Sequence, residues 1–172
     1  MTETAAQLQR AFNGRDFRSA VGSFATGVTV VTTEGPQQAY GLTANAFSSV
    51  SLDPPLVLVC VNSGTRGSES IQHNGVFAVN ILGEDQEPYS RHFASRERPR
   101  GKDAFAHIPH RTDITGSPII EGAAGYLDCR VAASHLAGDH IIFIGEVLAI
   151  GFDPNTRPLV FHQGQYRLLG EN

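Results

Sequence analysis

Pro54 and Pro55 stand side by side, and the residues on both sides of them are arranged for β-structure. Neither proline can donate a backbone hydrogen to a ladder, so the pair marks where a strand starts and not its middle. Behind them 56–61 reads Leu-Val-Leu-Val-Cys-Val, closed by Asn62. An apolar run of that length and β-branched content predicts a strand buried on both faces. Ahead of the prolines, 39–49 reads as another strand, opened by the small residues Gly41-Leu42-Thr43-Ala44-Asn45-Ala46.

The remaining patterns add strands faster than helices. The β-branched stretch 28–33 predicts a hairpin with 39–49 around Glu34-Gly35-Pro36. Asp16 is expected to cap a helix over 17–25, closed by Gly27. Thr65 is expected to cap a short helix reaching His73 and ending at Gly75, before a strand over 76–82. A helix is predicted over 84–93. The stretch 95–103, with four basic and two acidic side chains, reads as a loop. Two long β stretches, 122–136 and 140–152, meet at a tight turn on Gly138-Asp139, and a last short pair surrounds Gly164. Nothing alternates as β-α-β-α, which excludes a doubly wound fold and favours a closed or sandwiched, mainly β chain.

The 13 basic and 17 acidic side chains, net −4, argue against a nucleic-acid partner. No apolar run approaches the roughly 20 residues of a membrane-spanning helix. Residues 1–9 lack the basic-then-apolar pattern of a secretory leader. Residues 1–14 are expected as a flexible arm and 15–170 as one domain. Cys60 and Cys129 both lie in apolar runs and are expected as buried thiols of a cytoplasmic protein.

There is no G-x-G-x-x-G, no P-loop and no H-E-x-x-H, Cys-x-x-Cys or G-x-S-x-G pattern. The small side chains of 41–46 would let a flat ring lie close to backbone, or simply mark a bulge. Asn62-Ser63-Gly64-Thr65-Arg66-Gly67-Ser68 has the glycines of an anion nest, two hydroxyls, an arginine and a following helix N-terminus; the same residues also make an ordinary capped turn. Arg91-His92-Phe93 suits either a ligand or the C-terminal end of a helix. His140, after Gly138-Asp139, suits either a pocket or a bond to Asp139. His107 and His110 flank Pro109 at a spacing too weak to predict a metal.

Read in order, Phe17-Arg18, Gly27-Val28-Thr29-Val30-Val31-Thr32, Gly41-Leu42-Thr43-Ala44-Asn45, Ser48 through Val57 with its double proline, Phe77-Ala78-Val79-Asn80-Ile81-Leu82, Gly116-Ser117-Pro118-Ile119-Ile120-Glu121-Gly122 and Gly138-Asp139-His140 resemble the flavin reductase-like family. These are NAD(P)H:flavin oxidoreductases that act as small components of two-component flavin-dependent monooxygenases. The resemblance covers about 17–169. It implies a six-stranded, antiparallel Greek-key split β-barrel, the flavin-binding split barrel, with a few short peripheral helices. It implies a homodimer with flavin near the subunit interface.

By that resemblance FAD, or FMN, rests its ring on Gly41, Leu42, Thr43, Ala44, Asn45 and Ala46, with Ser48 among the cofactor-binding residues. Cys60, Val61, Asn62, Thr65, Arg66 and Ser68 hold its phosphate side. Arg91, His92, Phe93 and Tyr166 complete the cofactor set. His140 positions the nicotinamide of NADH, or NADPH. The implied activity is hydride transfer from NADH to flavin, with reduced flavin passing by diffusion to a partner monooxygenase. The alternative is a non-catalytic flavin-binding electron carrier on the same barrel.

Overall fold

In a computed structural model, residues 12–35, 39–99 and 101–170 are described. Most of the arm expected over 1–14, and Pro36 of the expected turn, lie outside them. The first helix, α1 (Gly14–Gly22), starts earlier than the sequence suggests because Asn13 caps it, not Asp16. Asn13 Oδ1 accepts from the amides of Arg15 (2.8 Å) and Asp16 (3.1 Å), and Asp16 Oδ2 accepts the Asn13 amide in return (3.2 Å). This reciprocal box satisfies otherwise orphaned donors. Gly27 does not close that helix; it lies in β1 (Thr26–Gly27).

The next strands are β2 (Thr29–Thr33), β3 (Tyr40–Ala44), β4 (Phe47–Leu52) and β5 (Pro55–Asn62). Helix α2 (Arg66–Asn74) follows, with the expected Thr65 cap and with Gly75 in the left-handed region at φ 70°. Then come β6 (Val76–Ile81), a 3-10 turn (Glu84–Gln86) and α3 (Glu87–Ala94). A second 3-10 turn, Gly101–Phe105, occupies part of the stretch expected as loop. The chain finishes with β7 (His110–Arg111), β8 (Ile119–Ile120), β9 (Gly125–Ala137), β10 (His140–Phe152), β11 (Val160–His162) and β12 (Gln165–Arg167).

Seven strands form one antiparallel sheet in the order β3-β2-β6-β9-β10-β5-β4. The single strand expected over 39–49 is therefore two, and they lie on opposite edges of that sheet. Ala44 pairs with Thr29 of β2, whereas Phe47 pairs with Val59 of β5. Only Asn45 and Ala46 separate them. Phe47 N donates to Asn45 O (3.0 Å) and Cys60 N to Ala46 O (3.0 Å), so the chain turns sharply there. The sheet must curl until its two edges meet at this link, although no ladder closes it.

Both faces of β2 are covered, so all five of its residues are buried. Successive side chains point to opposite faces. Val31 joins Val57, Val59, Phe77, Val79 and Phe143 in one core. Val30 joins Leu82, Phe93, Phe105, Ile120 and Leu159 in the other. The fully buried Asn80 ties the second core to 117–120: its Nδ2 is shared among Val30 O, Thr32 Oγ1 and Pro118 O at 3.1–3.3 Å, and its Oδ1 accepts from Ile120 N at 2.8 Å.

The expected two-sided burial of β5 is not found. Val57, Val59 and Val61 are buried, but Leu56, Leu58 and Cys60 are only half-buried. Leu58 and Cys60 instead line an apolar groove together with Val21 and Phe24, the latter two from the α1 region and exposed at 56% and 75%. Among the described residues no helix is long and apolar enough to cross a membrane.

Candidate functional site

The link that joins the sheet's edges also floors a groove of about 430 Å³. Leu42, Thr43, Ala44, Asn45 and Ala46 give one wall as a ribbon of mostly small residues. Cys60, Val61 and Asn62 come from the end of β5, and Thr65 from the cap of α2. Phe93 of α3 and His140 of β10 complete the set of expected residues that the fold brings together. The sequence places these on five separate elements; the curled sheet makes them neighbours.

His140 stands opposite Asn62 in the β10–β5 ladder, so the strand register fixes it at the groove. Its Nδ1 lies 2.7 Å from Asp139 Oδ1. This hydrogen bond, with the charge of the imidazole, holds the Asp139 carboxyl below the usual carboxylate range. The β9–β10 turn is itself pinned, because Ser63 donates to Asp139 O through its amide (2.9 Å) and its hydroxyl (3.1 Å). Both readings of His140 therefore coexist: it bonds Asp139 and also lines the cavity. With Nδ1 engaged, Nε2 is the ring atom left for a ligand.

Cys60 also faces the groove. Burial pushes its thiol up, away from the thiolate, so it contributes shape and not nucleophilicity. Cys129, deep in the core, is pushed up to about 12, mainly by burial and further by the Asp128 carboxylate.

Several expected residues lie off the groove. Gly41 is covered by Phe93: a Cβ on it would lie 2.4 Å from Phe93 Cε1 and 3.2 Å from Phe105 Cζ. The close approach it permits is to a protein ring. Ser48 faces the apolar groove beside α1. Arg66 is exposed at the first turn of α2, and Ser68 is consumed in the cap, donating to Thr65 O at 2.8 Å. Arg91 pairs with Glu87 (2.6 Å) and lies over the Tyr166 ring. The His92 Nε2 is 2.9 Å from Ala104 O, and Tyr166 Oη is 2.7 Å from Ser90 Oγ. These last three residues brace α3 and do not line the cavity.

Sequence reading missed Tyr40, Gly67, Ala94, Arg96 and Arg98, all of which line the groove. Arg96 and Arg98 carried a usable signal, a basic cluster set aside as a solvated loop. Gly67 was visible only as a glycine of the 62–68 nest, and Tyr40 carried no signal, since their contact spans two elements: a Cβ on Gly67 would lie 3.1 Å from Tyr40 Cε1.

A ribbon of mostly small, neutral residues and two arginines, Arg96 and Arg98, thus line one groove on the seam of a curled antiparallel sheet. The chain belongs to the flavin reductase-like family: residues 21–170 match its domain, described as "Flavin reductase like domain". It is 43% identical to an NADH-dependent flavin reductase of a Rhodococcus species, over 98% of this chain and 94% of the relative. It is 42% identical to HsaB, the reductase subunit of a flavin-dependent monooxygenase of Mycobacterium tuberculosis, over 88% and 80%. Its fold is similar to that of the NADH:FAD oxidoreductase SgcE6 of Streptomyces globisporus in complex with NAD and FAD fragments. The TM-score is 0.86 at 36% identity, covering 96% of this chain and 98% of that one.

Proposed function

We propose that this chain is an NADH-dependent flavin reductase that supplies reduced flavin to a separate flavin-dependent monooxygenase. The observation that carries the proposal is the groove at Asn45 and Ala46, faced by His140 across the end of β5. The residues present suit a flavin. The cavity volume lies within the range of small-molecule sites. Ala44 and Ala46 leave backbone accessible to a ring, and among the described residues no carboxylate lines the groove to repel an anionic tail.

The chemistry the bound ligands supply is hydride transfer from nicotinamide C4 to flavin N5. Residues of the chain do the rest. Backbone groups of 42–46 address the polar edge of the ring and meet the negative charge that reduction places there. Asn62 and Thr65 hold the tail side. His140, oriented by Asp139 and lining the groove, would hold the nicotinamide in place and so remove much of the entropic cost of its meeting the flavin. Gly41, Ser68, His92 and Tyr166 support this arrangement from outside the cavity.

The same reading takes 15–170 as one domain, with the curled sheet as a Greek-key split barrel. It takes the face bearing Val21, Phe24 and Leu58 as the contact of a homodimer, supported by the exposure of Val21 and Phe24. Flavin then leaves by diffusion in the cytoplasm, where free thiols such as Cys60 and Cys129 persist.

Anaerobic mixing with NADH and a large excess of FAD or FMN tests the proposal through the visible absorbance of the flavin. Bleaching of many equivalents per chain is the expected result. A single stoichiometric bleach, or none, would replace the reductase with an electron carrier.

A further inference from the structure

We propose that Arg98, held in place by Tyr40, is the phosphoryl-recognising residue of the groove, assisted by Arg96, and selects ligands bearing a phosphate or diphosphate over the same ring without one. The inference rests on the flavin reductase reading and adds to it the basis of its ligand selectivity.

Arg98 follows α3 in the chain and reaches back to the edge strand β3. Its guanidinium lies over the Tyr40 ring, with Cζ 4.9 Å from the centroid. Nη2 donates to Tyr40 Oη, and Nη1 donates to Ser95 O at 2.5 Å. A face, a hydroxyl and a carbonyl thus orient the fork, yet none of them carries negative charge. Two of the five N–H donors of a guanidinium are used, leaving the others for a ligand. Other arginines are spent differently: Arg91, Arg130 and Arg157 are each in an ion pair with a glutamate. Among the described residues neither Arg96 nor Arg98 has such a partner, and both line the groove.

The charge is also localised. Apart from His140, every other described residue lining the groove is neutral. The first turn of α2 lies against the same strand, β3, since a Cβ on Gly67 would come within 3.0 Å of Leu42 Cδ2 and 3.1 Å of Tyr40 Cε1. A neutral ring gains nothing from a cation held there. A phosphoryl oxygen gains charge-assisted bonds from a fork already oriented, which lowers the ordering cost of binding. The phosphoryl group has two possible owners, the flavin nucleotide and the nicotinamide dinucleotide.

The test measures equilibrium binding of riboflavin, FMN and FAD by flavin fluorescence, at low and high salt. The proteins are wild type, Arg98→Ala, Arg98→Lys, Arg96→Ala and Tyr40→Phe. Arg98→Ala should weaken FMN and FAD by roughly 10- to 100-fold, the scale of hydrogen bonds to a charged group, and leave riboflavin within about twofold. Tyr40→Phe should cost FMN and FAD less, about three- to tenfold, by freeing the fork while keeping the ring face. Arg98→Lys should recover only part, because the charge returns without the fork. The salt dependence of FMN binding should flatten in Arg98→Ala.

If the phosphoryl group recognised is that of NADH, flavin affinities stay unchanged while KM for NADH rises by a similar factor at constant kcat. Equal weakening of riboflavin and FMN by Arg98→Ala would show a merely structural loop and overturn the proposal. So would unchanged flavin affinity together with unchanged KM for NADH. Failure of wild type to bind any flavin would sink the flavin reading instead; calorimetry with inorganic diphosphate, abolished by Arg98→Ala or not, then decides for or against the anion site.

Discussion

The ring of Phe93 rests on the bare backbone of Gly41, at a place where a Cβ would come within 2.4 Å of its Cε1. Phe93 in turn leans on Phe105, with centroids 5.2 Å apart. The glycine thus lets α3 sit close enough to β3 for Phe93 to reach the groove. Gly41→Ala should destabilise the fold by about 1–3 kcal/mol through overpacking. For a chain of this size that corresponds to roughly 2–4 °C of Tm per kcal/mol. Thermal melts of Gly41→Ala and of Gly41→Ala with Phe93→Leu check it: the smaller ring-free side chain should restore part of the loss.

His140→Ala should raise KM for NADH by about tenfold, the loss of one or two oriented contacts, while flavin affinity changes little. Steady-state kinetics with each substrate varied separates the two. Equal loss of both, with a lowered Tm, would return His140 to a structural role.

The same variant carries a signature at its neighbour. Asp139 is held low by its hydrogen bond to His140, so it is ionised to lower pH in the folded chain than in the unfolded one. Its pairing stabilises the fold above the unfolded carboxyl pKa and is lost as pH falls through the lowered folded value. In His140→Ala the Asp139 carboxyl should titrate higher, back towards the ordinary range. Carbon-13 NMR of the side-chain carboxyl against pH measures this directly.

Cys60 should react with iodoacetamide slowly at neutral pH and faster as pH rises past the ordinary thiol range, because burial favours its protonated form. Saturating FAD should protect it, since it lines the groove. Cys129, pushed up to about 12, should stay unlabelled throughout in the folded chain. Mass spectrometry of tryptic peptides reads both sites; labelling of Cys60 that ignores FAD would place the ligand elsewhere.

Asn80→Leu should cost about 2–4 kcal/mol, because it leaves the Ile120 amide and the Pro118 carbonyl buried without this partner. Chemical denaturation measures the loss, and flavin affinity of the protein that remains folded should be unaffected.

Much of this architecture was readable in the residues, and the failures share a cause. Thr65, Gly75 and Gly138-Asp139 act on their immediate neighbours, so the cap of α2, its end and the β9–β10 turn lie where their chemistry puts them. The break at Asn45 and Ala46 has no glycine or proline to announce it; it exists because two partners distant in sequence, β2 and β5, compete for adjacent residues. The 56–61 run says that both faces are apolar but cannot say whether this chain supplies cover for each.

The candidate site shows the same division. Consecutive helical residues point about 100° apart; Phe93 and Ala94 turn to the groove, while Arg91 and His92 point away to Glu87 and Ala104. The ribbon 42–46, Asn62 and His140 were legible because strand ends collect at one place in a curled sheet. The basic cluster that holds Arg98 was visible, but not its fixed orientation, which depends on Tyr40, 58 positions away.

With only Asn45 and Ala46 spanning the two hems, the seam has no slack. Lengthening that stitch by even one residue would let the hems drift and respace the 42–46 wall against Cys60. The segment that carries Arg96 and Arg98 is not sewn into the sheet. A lineage built on this scaffold is therefore free to retailor the arginine-bearing lining of the groove, while the gauge between its small-residue wall and Cys60 stays fixed.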